Sequence, residues 1–86
     1  MKVLEIKNIE KKEHPILYRR SFQATAVLEV LHNPIERTIE FTVEHTPLGK
    51  REIQVRIIEP VEYPLLPLLR ELRHHISHLD KTGGLP

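Results

Sequence analysis

From residue 18 to residue 58 apolar side chains recur at every second position, and beyond Pro60 they recur at every third or fourth. A single change of hydrophobic period, from 2 to 3.6, constrains the chain to strands first and a helix afterwards. With 86 residues and 40% hydrophobic content, one modest core is available and a second domain is not.

The strand reading can be followed along the chain. Over residues 2–9, Leu4 and Ile6 alternate with Glu5 and Lys7, which predicts a strand with one buried face. Residues 10–15 are polar or turn-forming and read as a loop. Over 18–31 the even positions Phe22, Ala24, Ala26, Leu28 and Val30 point inward, and the two alanines match their volume to a covering helix. His32-Asn33-Pro34 reads as a short connection to an antiparallel strand over 35–45, with Ile39, Phe41 and Val43 inward. Thr46-Pro47-Leu48-Gly49 has the composition of a type I turn, and 51–58 resumes alternation with Ile53, Val55 and Ile57 inward.

Leu65, Leu68, Leu69, Leu72, Ile76 and Leu79 then fall on one helical stripe roughly 100° wide. Either Pro64 or Pro67 can open this helix, and Gly83-Gly84 can close it, leaving residues 83–86 as a frayed tail behind a domain of residues 1–82. The expected class is therefore α+β: a four-stranded antiparallel β-meander with one C-terminal amphipathic helix packed on one face, in the order ββββα. The other face, bearing Gln23, Thr25, Glu29, Thr38, Glu40, Thr42, Glu44, Glu52, Gln54 and Arg56, is left to water.

Composition excludes several function classes. No cysteine is present, so thiol catalysis, disulfides and cysteine-ligated zinc are ruled out. The longest apolar stretch is far short of the roughly 20 residues of a spanning helix, and no signal-like segment opens the chain, so a cytoplasmic protein is expected. The glycines Gly49, Gly83 and Gly84 form no phosphate loop, and no cofactor is expected. Ser21, Ser77 and the single aspartate Asp80 lack a visible base or orienting partner, so no catalytic residue is assigned.

Three binding readings remain. In a meander the first and third connections share one end of the sheet, which gathers Lys11, Lys12, Arg19, Arg20, Lys50 and Arg51, with His14 and His45, at one pole. The returning helix adds His74, His75, His78 and Lys81 there. Such a pole suits a nucleic-acid backbone or another polyanion. No aromatic stacking platform accompanies it, because Phe22 and Phe41 have the inward parity. Glu71, His74 and His78 share one helix face at metal-chelating spacing, which makes them the metal candidate. Val27, Leu31, Ile58, Tyr63 and Leu66 break the apolar-in pattern and form the candidate partner surface. The first and last strands are the candidate sheet edges, with Lys2, Lys7, Lys11 and Lys12 as charged guards. Lacking catalytic or cofactor motifs, the chain reads foremost as a non-enzymatic interaction or regulatory module acting through a protein partner or as a homodimer.

Overall fold

The computed structural model describes residues 2–13 and 18–86. Four strands, β1 (Lys2–Lys12), β2 (Arg19–Val30), β3 (Asn33–His45) and β4 (Arg51–Ile57), form one antiparallel sheet in the order β1-β2-β3-β4, followed by helix α1 (Leu65–Thr82). The ββββα meander expected from the periodicity is the fold.

Phe22, Ala24, Ala26 and Leu28 of β2 and Ile39, Phe41 and Val43 of β3 are buried beneath Leu68, Leu72 and Ile76 of α1. Phe22 and Phe41 are direct cross-strand neighbours, with ring centroids 4.9 Å apart in a stacked arrangement. Only Ile6 of β1 joins the fully buried set, and Ile53, Val55 and Ile57 of β4 are half-buried. The helix backbone comes nearest the two edge strands, so the alanines of β2 do not bring it down onto the sheet centre. Large side chains of β2 and β3 fill that space instead.

Several boundaries differ from expectation for local physical reasons. Strand β1 runs on to Lys12, with Glu10, Lys11 and Lys12 paired to Gln23, Phe22 and Ser21; backbone pairing overrides their polar character. Irregularities between Val3 and Glu5 and between Lys7 and Glu10 shift its register, and Asn8 between the second pair has φ 53°. These bulges reverse the expected parity at the strand's start. Leu4, expected inward, is exposed, and Val3 and Ile9 pack against the core.

The β2–β3 turn is Leu31-His32, not His32-Asn33-Pro34. Val30 pairs with Asn33, and both turn residues lie in the left-handed region, φ 51° and 67°. That is the two-residue primed geometry whose twist suits a hairpin, adopted here without the glycine or asparagine that usually supplies it. The β3–β4 turn follows its composition: Gly49, at φ 79°, donates its N–H to Thr46 O at 3.0 Å.

Pro64 occupies the N-cap, and Pro67 sits in the first helical turn, where its missing donor leaves no bond unmade. Leu65, assigned to the buried stripe, is exposed at the helix start. Gly83 caps the other end at φ 77°, and Gly84 N–H donates to Leu79 O at 2.8 Å. Leu85, expected to fray, packs against the core instead. Among the described residues no helix is long and apolar enough to cross a membrane.

Candidate functional site

The helix returns over the sheet to the end carrying the β1–β2 and β3–β4 connections, and there the sheet separates the cations gathered by sequence into two groups. Strand parity turns Arg20 and Arg51 toward the helix, where Asp80 receives both. Arg20 Nη2 donates to Asp80 Oδ1 at 2.8 Å, and Arg51 Nη1 lies 3.1 Å from Oδ2 in an ion pair outside hydrogen-bond geometry. The Asp80 side chain is only 6% exposed. A carboxylate in the last turn of a helix is opposed by the helix dipole, so the two guanidiniums offset both that repulsion and burial. His45 Nε2 lies 3.5 Å from Arg20 Nη2 at the rim.

Lys12 and Arg19 turn to the open face. Arg19 pairs with Glu44 at 3.0 Å, and Glu40 receives Lys12 at 4.0 Å and Arg56 at 3.0 Å. Lys11 and Lys50 are exposed and make no ion pair among the described residues. The anion candidates are thus brought to one end, but most face the protein's own carboxylates. His14 lies outside the described residues. Asp80 organises this pole, although in sequence it reads only as a lone acid. Its position in a helix's last turn, where an acid needs nearby cations, is the one signal the sequence offers.

On α1, Glu71, His74, His75 and His78 line an open groove with Lys2 and Val3 of β1. Partial burial, then the neighbouring His78 and His74, hold the His75 imidazole below its ordinary value of 6.5. Among the described residues no three His, Cys, Asp or Glu side chains come together so as to hold a metal ion.

The partner-surface candidates also separate. Val27 lies on the open face between Glu5 and Glu36, half-buried. Leu31, Ile58 and Leu66 are exposed at the end opposite Asp80, beside half-buried Tyr63. Two shallow depressions there are walled by Leu31, Ile35, Ile58, Val61 and Leu65 around Pro60. The segment leaving β4 is fixed to β3: Arg37 Nε donates to Pro60 O at 2.9 Å, and Glu59 Oε1 accepts the Thr38 N–H at 2.8 Å. That backbone donor, followed by the Thr38 side chain, holds the Glu59 carboxyl below its ordinary 4.5, assisted by the Arg37 charge.

These features define a small α+β protein: an open four-stranded sheet, a single covering helix, a carboxylate-clamped pole and an apolar pole. The family model described as the BB_0187 family matches residues 1–81, and the chain belongs to that family. No curated protein and no solved structure matches it.

Proposed function

We propose that this protein is a non-enzymatic interaction or regulatory module that works through a protein partner or a second copy of itself, in the cytoplasm as the sequence leads one to expect. The observation carrying this reading is the concentration of large exposed apolar side chains at one end of the molecule. Leu31 is 85% exposed and Leu66 is 74% exposed, with Ile58 and Leu65 between them. Single exposed leucines are ordinary, but a group at the tip of a rigid hairpin and the start of a helix has the character of a contact surface. The opposing pole satisfies its charges internally, which supports contact in preference to chemistry.

The test compares wild type with a Leu31→Asp/Leu66→Asp variant, both substitutions lying at exposed positions that leave the core untouched. Light scattering and quantitative affinity capture from the source lysate are read together with circular dichroism. The reading expects a captured protein, or a mass above the monomer, that the folded variant loses. A monomeric wild type whose captured set is unchanged in the variant overturns it.

A further inference from the structure

The two edges of the sheet are built differently, and one is self-complementary. Edge strands expose unpaired N–H and C=O groups and are ordinarily protected by bulges, lysines or proline. Strand β1 has two register irregularities and carries Lys2, Lys7, Lys11 and Lys12. Strand β4 pairs with β3 without a register shift and contains neither lysine nor proline. No strand among the described residues pairs with its outer side.

The sequence of β4, Arg51-Glu52-Ile53-Gln54-Val55-Arg56-Ile57, reads nearly the same in charge-complementary form from both ends. If two copies meet antiparallel about a two-fold axis at Gln54, Glu52 faces Arg56, Ile53 faces Val55 and Gln54 faces Gln54. Directly opposed residues in an antiparallel pair share a face, so Glu52 and Arg56 meet on the open face and Ile53 and Val55 on the helix side.

The existing pairing has the right phase. Ile58 N–H donates to Thr38 O at 2.9 Å, which continues the register beyond Ile57↔Ile39 and makes Ile58 and Thr38 a hydrogen-bonded pair. By alternation Arg56, Gln54 and Glu52 direct their backbone groups toward β3, while Arg51, Ile53, Val55 and Ile57 direct theirs to the free edge. In the symmetric arrangement Ile53 and Val55 become each other's hydrogen-bonded partners, and Arg51 and Ile57 likewise.

Two local deficits are met by the same step. Glu52 stands opposite Glu44 on β3, a like-charge cross-strand pair, and has no cation of its own among the described residues. Arg56, whose side chain is 73% exposed, is the residue a second copy would present to it. Ile53, Val55 and Ile57 are half-buried, and each would gain an apolar neighbour across the seam.

From this geometry we infer that β4 is a homodimerisation edge, joining two copies antiparallel about Gln54 into a continuous eight-stranded sheet with both helices on one face. The pairing rests on the interaction-module reading but uses a surface separate from the apolar pole, so the two can fail independently.

The chain has no cysteine, which permits a register test by cross-linking. Opposed Cα atoms in a non-hydrogen-bonded antiparallel pair lie about 4.5 Å apart, within the range a disulfide spans. Gln54→Cys alone should therefore cross-link to itself under mild oxidation. Glu52→Cys and Arg56→Cys should each cross-link poorly alone and efficiently when mixed. Sedimentation over a concentration series should show a dimer that Val55→Pro converts to monomer, since that substitution removes an outward N–H and leaves the β3–β4 bonds intact. Glu52→Arg should weaken association about tenfold by opposing two arginines at each end of the seam. A monomer at every concentration with no Gln54→Cys cross-link overturns the β4 pairing. A dimer that ignores both Val55→Pro and Gln54→Cys also overturns it, while leaving self-association through the apolar pole, and so the module reading, intact.

Discussion

Strands β1 and β4 bound the same sheet and lie nearest the same helix, yet they differ in how they are held. Strand β1 is irregular along its backbone and anchored through its side chains: Ile6 is 7% exposed, and Val3 and Ile9 pack on the core. Strand β4 is regular along its backbone and only half-buried through Ile53, Val55 and Ile57. Its two ends are fastened by polar contacts, Arg51 to Asp80 and, just beyond it, Glu59 to Thr38. An edge closed by packing and bulges is finished within the monomer. An edge held at its ends and regular between them remains competent to pair.

The comparison is broken most directly by truncating one apolar side chain on each edge. Ile6→Ala removes a buried group and should cost about 2–4 kcal/mol, whereas Val55→Ala should cost about 1 kcal/mol in the monomer. Urea unfolding at a concentration low enough to exclude self-association measures both. Equal losses would mean that β4 is as tightly packed as β1 and would remove the contrast.

A smaller effect is expected from Asp80→Ala, which leaves Arg20 and Arg51 facing each other without their common acceptor. Because the carboxylate is buried and the guanidiniums are partly solvated, the loss should be about 2 kcal/mol. Hydrogen exchange should place the loosening at the start of β4 and the last turn of α1, with β1 unaffected. Uniform loosening of both edges would show that Asp80 supports the whole helix in place of one edge.

The degree to which these features are legible in sequence follows their range. The central strands and the helix stripe are readable because burial on one face imposes a strict period on β2, β3 and α1. Strand β1 departs from its pattern at Leu4 and beyond Ile9, since a bulge is a backbone event that breaks parity without leaving a residue signature stronger than Asn8. The hairpin at Leu31-His32 lacks the usual turn residues, and adjacent Asn33-Pro34 draws the assignment one step too far. Meander connectivity places the basic residues at one end correctly. It cannot divide them between the two faces, because that requires register, nor identify Asp80 as their acceptor across 60 residues of sequence.

The finest contrast between the edges is their response to acid. His75 lies in the groove that α1 forms with Lys2 and Val3 of β1, and its folded-state value is below 6.5. A histidine so depressed takes up its proton first in the unfolded chain. It therefore costs nothing above about pH 6.5, and stability declines as pH falls through that value until the folded protein is protonated as well. Glu59 sits beyond β4, where its carboxylate replaces a backbone acceptor for Thr38, and its value is held below 4.5. Its contribution is complete above pH 4.5 and disappears only as pH falls through the lower folded value. Acidification should thus loosen the β1–helix groove first and the β3–β4 end second. Residue-resolved exchange read at Val3 and at the Thr38 amide follows the two steps. Glu59→Gln should abolish the later one and leave the earlier in place, while His75→Gln should do the reverse; loss of both steps in either variant would mean that the edges titrate as one unit.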